Sequence, residues 1–304
     1  MKCIALAACL TLTGVTASCT YDVESDGIYY NITSSTDLEV EVIYNSKNYN
    51  SYSGDIEIPS TVTYNNKTYT VTSIGDDAFR GCTSLVSIDL PEGLTSIGDD
   101  AFRGCTSLVS IDLPDVLTSI GDYAFLGCES LTSIDVPDGV TSIGRYTFFH
   151  CTSLVSIDLP EGLTNIEDYA FSHCSSLTSI DLPDGLTSIG DYAFNNCSSL
   201  VSIDLPEGLT SIWDSAFFEC TSLTSIDIPD GLTSIGEYAF YDCENLADVY
   251  SRNATPPSCV DSNVFSDTTY NNATLRVPSK ALTMYQTTWP WSKFYSIVSD
   301  ATNK

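Results

Sequence analysis

Residues 85–130 read LVSIDLPEGLTSIGDDAFRGCTS and then LVSIDLPDVLTSIGDYAFLGCES, a 23-residue line followed by its near copy. The line runs on in both directions, marked by cysteines at a constant interval of 23: Cys82, Cys105, Cys128, Cys151, Cys174, Cys197, Cys220 and Cys243. A fixed period of this size predicts a solenoid. One coil cannot bury its apolar face alone, whereas stacked coils share a continuous core.

The coil from Leu85 to Ser107 carries its apolar residues at Leu85, Ile88, Leu90, Leu94, Ile97, Ala101, Phe102 and Cys105. Ile88 and Leu90 alternate with Ser87 and Asp89, the period of two that marks a half-buried strand. Pro91 ends that strand by removing a ladder donor. Glu92-Gly93 turns the chain, Leu94 to Ile97 forms a second short extended piece, and Gly98 makes another corner. The stretch from Asp99 to Cys105 is too short for a stable α-helix and predicts a single helical or 3₁₀ turn. Thr147 for Ala, Glu167 and Trp213 for Gly, and Val116 for Gly depart from the line, with local distortion of corners expected.

The flanks divide the chain further. Residues 1–18 have the form of a secretory leader: one Lys, an apolar run from Cys3 to about Val15, then small residues. Val15-Thr16-Ala17 fits cleavage after Ala17, while Cys19 after Thr16-Ala17-Ser18 resembles a lipoprotein cleavage box; both readings stand. No other segment has the roughly 18 apolar residues needed to cross a bilayer. Residues 19–72 are rich in Tyr, Ile, Val and Thr with an Asn65-Asn66 turn, predicting an N-terminal cap built as a small antiparallel sheet. Residues 73–250 form about eight coils, and 251–304 a mixed C-terminal cap with a strand near Ala273–Val277 and a helical turn from Ser279. Open-ended solenoids need such caps to cover the terminal coils.

Charge narrows the partners. With 40 acidic and 11 basic residues the net charge is −29, which repels nucleic acid and anionic membrane surfaces. Contact with a membrane is expected only through a lipid on Cys19. The cysteines, although 12 in number, are not read as a disulfide scaffold. Eight share one register, and identical coils point their side chains alike rather than at one another, so free buried thiols are expected.

The L-x-x-I-D-L-P, L-T-S-I-G and A-F-x-x-C blocks together, over roughly residues 70 to 250, resemble the leucine-rich repeat family in its 23-residue BspA-like, or Treponema-type, form. That resemblance implies a mainly β leucine-rich repeat solenoid with short helical or 3₁₀ turns. It also implies a bacterial, secreted or cell-surface protein that adheres to host extracellular-matrix or surface proteins. Cys259 through Ile297 resembles the closing segment of exported repeat proteins of Bacteroidetes.

No catalytic constellation emerges, and neither a cofactor nor a metal is expected. His150 and His173 lie one period apart, but the same slot elsewhere holds Gly, Asn, Glu and Asp, the pattern of a drifting surface position. Each His should face out while the adjacent Cys faces in, which separates a base from a nucleophile. Two columns are candidates for binding. Asp89, Asp112, Asp135, Asp158, Asp181, Asp204 and Asp227 occupy one outward strand position, with a serine column two residues earlier. They form either a face for cations or a basic protein, or a solvated row. Tyr123, Tyr146, Tyr169, Tyr192 and Tyr238 fill one slot before the Ala-Phe pair, as an interface or as a cover over the coil edge; a glycan is a lesser candidate for these rings. The expected function is non-enzymatic binding of a host or cell-surface macromolecule. A structural spacer or glycan-capture module is the alternative.

Overall fold

A computed structural model describes residues 21–44 and 51–300 of the chain. The leader, its Ala17 cleavage point and Cys19 lie outside the described residues. The chain is a solenoid of 23-residue coils stacked in register. Two parallel ladders run along it. One joins the S-I-D strands, as in Ser87↔Ser110, Ser133↔Ser156 and Ser225↔Asp248. The other joins the S-I pairs that follow, from Ser73↔Ser96 and Ser96↔Ser119 to Ser211↔Ser234. The isoleucines of the coils are buried in both ladders, from Ile88 to Ile226 in the first and from Ile74 to Ile235 in the second, so a one-residue slip would expose the row.

Between the ladders the core is built of columns of identical side chains. Phe79, Phe102, Phe125, Phe148, Phe171, Phe194, Phe217, Phe240 and Phe265 stack with centroids 5.2–5.5 Å apart and planes within 12°. The eight repeat cysteines are buried and free. From Cys105 to Cys243 each thiol donates to the Phe carbonyl of the preceding coil at 3.1–3.3 Å. Burial pushes the thiols up, to about 12 for Cys151 and Cys243, so they act as small hydrophobes with one satisfied donor.

The A-F-x-x-C stretch makes the expected i→i+3 bonds, Arg80 N to Asp77 O and Cys82 N to Phe79 O, both 3.0 Å. No helix propagates, because the alternate amides point to the next coil: Asp77 N to Asp99 O, Phe79 N to Ala101 O and Gly81 N to Arg103 O. That geometry needs two left-handed residues per coil. The first slot, Asp77 to Tyr238, has φ of 54–61°; the second, Gly81 to Asp242, has φ of 55–71°. Thr147 keeps the coil intact, buried in the alanine slot with Oγ1 donating to Gly144 O at 2.9 Å.

At the N-terminal end the Asn65-Asn66 turn closes the hairpin of Thr61–Tyr64 and Lys67–Ile74, both residues at positive φ as a type I′ turn requires. The sheet there is mixed rather than antiparallel. Glu39–Ile43 pairs in parallel with Lys67–Ile74, and Ser53–Glu57 in parallel with Ser84–Asp89. The physical reason is that a strand flanking a coil must enter its ladder in the coil's own direction. At the other end Asp248–Ser251, Thr274–Pro278 and Ser296–Asp300 prolong the first ladder. Tyr270, Trp291 and Phe294 close edge-on over Phe265, and Trp291 Nε1 donates to Pro257 O at 2.9 Å. No helix among the described residues is long and apolar enough to cross a membrane.

Candidate interaction surface

The S-I-D strands present three outward columns. Val86, Val109, Val155 and Val201 are 43–48% exposed, in a column whose other coils carry threonine at 132, 178 and 224. Beside them runs the serine column, then the aspartates. Asp89, Asp112, Asp135, Asp158, Asp181 and Asp204 are exposed; Asp227 is half-buried. Parallel pairing sets Asp135 opposite Asp158 and Asp204 opposite Asp227. A second acidic column, not singled out in the sequence, follows three residues on: Glu92, Asp115, Asp138, Glu161, Asp184, Glu207 and Asp230, all exposed. Its signal was the acidic residue after each strand-ending proline. Between the columns lie shallow hollows, one lined by Ser110, Asp112, Leu113, Ser133 and Asp135, another by Asp89, Leu90, Glu92, Asp112 and Asp115.

The turn face is different. Tyr123, Tyr146, Tyr169 and Tyr192 form an unbroken stack, centroids 4.5–5.0 Å apart and planes within 9°. Their ring faces cover one another and leave edges and hydroxyls outward. Partial burial, then the neighbouring phenols, pushes the Tyr146 and Tyr169 hydroxyls up. Ser215 interrupts the run, and Tyr238 stands beyond it, edge-on to Tyr241 at 5.3 Å with its hydroxyl accepting from Asn263 Nδ2.

Beside the tyrosines runs an aspartate column that the sequence reading missed. Asp76 Oδ1 accepts from Asp99 N, Asp99 from Asp122 N, and Asp122 from Arg145 N, at 2.8–2.9 Å. The row breaks at Arg145 and resumes as Asp168 to Asp191 N, Asp191 to Asp214 N and Asp214 to Glu237 N, at 2.7–3.0 Å. Except at Asp191, where the next corner carries Trp213, each carboxylate reaches over the corner glycine of the next coil. A Cβ on Gly98, Gly121 or Gly236 would sit 2.4 Å from that oxygen. Glu167 replaces this glycine where the coil before carries Arg145 in place of Asp. Nothing in the structure explains Trp213 in the same slot. Burial, then like-charged neighbours, raises the Asp99 and Asp191 carboxyls above their ordinary 3.8.

His150 and His173 occupy the second left-handed slot, which explains its Gly, Asn, Asp and His content. Their rings are 5.9 Å apart, and His150 Nδ1 lies 3.8 Å from Glu129 Oε1. Burial, then the neighbouring His150, pushes His173 down. Among the described residues no three His, Cys, Asp or Glu side chains converge to hold a metal ion.

The model of the BspA type leucine rich repeat region matches residues 41–178 and 164–292, as six copies. The chain belongs to this family. A solved leucine-rich repeat protein from Bacteroides ovatus ATCC 8483 is similar at 30% identity, covering 92% of this chain and 77% of its own, with a TM-score of 0.68. The T. pallidum leucine rich repeat protein is similar at 28% identity over 72% of this chain and 87% of its own, TM-score 0.46. A leucine rich cell surface protein from Faecalibacterium prausnitzii A2-165 is similar at 23% identity over 92% and 95%, TM-score 0.39. No curated protein matches. A BspA-type repeat chain offers long outward columns, an arrangement consistent with protein binding.

Proposed function

We propose that this BspA-type protein is an exported, non-enzymatic adhesin that binds a basic protein of the host matrix or of a cell surface through its strand face. The carrying observation is the pair of exposed acidic columns beside the Val/Thr column. Asp227 and Glu207 pair with Arg252, but among the described residues no hydrogen bond or ion pair engages the side chains of Asp89, Asp112, Asp135, Asp158, Asp181 and Asp204, so their charge is available to a partner. Many weak contacts in register would sum along the array. The leader sequence supports export to the bacterial surface, with Cys19 as the residue for a lipid anchor. The stacked tyrosines support a structural role rather than sugar capture, because a sugar ring needs an aromatic face and the stack offers edges.

The full mature chain, immobilised, is to be tested against purified matrix proteins and a glycan array, beside a variant with Asp112, Asp135, Asp158 and Asp181 changed to Asn. Binding of a matrix protein that the variant loses is the expected result. Binding to glycans alone, or to protein with the variant undiminished, contradicts the proposal. Loss only on changing Tyr146, Tyr169 and Tyr192 would move the interface to the turn face.

A further inference from the structure

One hollow of the strand face already holds a cation. Arg252 donates through Nε to Asp227 Oδ1 at 2.9 Å and through a terminal nitrogen to Asp227 Oδ2; its other terminal nitrogen lies 3.6 Å from Glu207 Oε1. This fork-on-carboxylate contact is the geometry that distinguishes arginine from lysine. The hollow it enters is lined by Asp204, Leu205, Glu207, Asp227 and Pro229. Five repeats earlier the same period positions line another hollow of about 360 Å³, formed by Asp89, Leu90, Glu92, Asp112 and Pro114. There the period position of Arg252 is held by Pro137, which brings no cation to the hollow. Among the described residues, no lysine or arginine pairs with Asp89, Glu92 or Asp112.

We propose that the hollows of the strand face are a row of arginine sockets. Each takes a guanidinium from the partner between one coil's strand aspartate and the post-proline acid of the coil before it. The half-buried leucines, Leu90 and Leu113 in the open hollow, receive the methylene stem of the same side chain. Arg252 is the chain's own occupant of the last such socket and shows the fit. Sockets recur at the strand spacing of about 4.8 Å, so a partner surface with neighbouring arginines engages several at once. The inference rests on the strand-face reading above and names the chemistry that face recognises.

The test uses the full mature chain and a synthetic peptide bearing four arginines, with its lysine and citrulline counterparts, in titration calorimetry at physiological salt. The arginine peptide is expected to bind at least tenfold more tightly than the lysine peptide, and the citrulline peptide not to bind. The triple variant Glu92→Gln, Asp112→Asn, Asp115→Asn should weaken the arginine peptide severalfold while leaving thermal unfolding unchanged. Equal affinity for lysine and arginine, or an undiminished triple variant, overturns the proposal. Should the peptides fail while capture of a matrix protein still needs the strand-face aspartates, arginine recognition is wrong and the adhesin reading stands. If that capture is also indifferent to the aspartates, both fall.

Discussion

Two aspartate columns run the length of this solenoid with the same period, and they do opposite things. On the turn face, Asp76, Asp99, Asp122, Asp168, Asp191 and Asp214 each accept a backbone amide from the next coil and stitch the corners together. On the strand face, Asp89 to Asp204 stand in solvent, their backbones paired in the ladder and their carboxylates left outward. The difference lies in the backbone. A strand satisfies its amides against the neighbouring coil, so its side chains are free. A corner leaves amides over, and a short acceptor side chain on the adjacent coil takes them.

The sharpest way to break this contrast is at the glycines. Gly121→Val would drive a side chain against Asp99 Oδ1 and backbone at 2.4–2.6 Å, whereas a Cβ on Gly93 meets nothing within 4 Å. Chemical denaturation should show a loss of about 1–3 kcal/mol for the former from overpacking, with the Asp99 bond lost besides. Gly93→Ala should lie within about 0.5 kcal/mol of the parent. Next in size, Tyr169→Ser copies the natural interruption at Ser215 and removes two stacked pairs. It should cost about 1–2 kcal/mol while leaving matrix binding intact. Asp122→Ala removes the acceptor of the Arg145 amide and should cost about 0.5–1.5 kcal/mol, since water can reach that amide, against about 0.5 kcal/mol or less for Asp135→Ala on the strand face.

The smallest expected effect is that of pH. Asp99 and Asp191 titrate above the ordinary 3.8, so the folded chain takes up their protons at higher pH than the unfolded one. Stability from these two groups therefore rises as pH falls through the raised range, is complete below 3.8, and is absent at neutrality. A plot of thermal midpoint against pH should climb on mild acidification, and the climb should shrink in Asp99→Asn, Asp191→Asn. A midpoint that falls over that range in the parent chain would contradict the assignment.

The fold was legible in the sequence because a repeat writes the same instruction many times. The period, the inward Leu, Ile, Phe and Cys columns and the free thiols could be read from two adjacent lines. The face of each column was legible too, since Asp89 alternates with Ile88 and Leu90. What could not be read was which amides a corner leaves over. Nothing in the sequence marks the turn-face aspartates as acceptors, although Gly-Asp at 98–99, 121–122 and 190–191 carries a trace of the fit between a side chain and the glycine it crosses. Left-handed slots were likewise hidden. Asp100, Tyr123 and Ser215 share no side-chain chemistry, and only the backbone shows that they share a φ. Arg252 was unreadable for another reason: its partners Asp227 and Glu207 are 25 and more residues away, in a part of the chain where the repeat has faded.

The contrast between the faces is tested most directly by comparing denaturation midpoints of two variants. One changes Asp76, Asp99, Asp122 and Asp191 to Ala; the other changes Asp112, Asp135, Asp158 and Asp181 to Ala. The first should unfold at markedly lower denaturant and the second at or above the parent midpoint, relieved of charge repulsion. Equal losses in the two would mean that the strand-face carboxylates help hold the coils together, and would leave no spare acidic face for a partner.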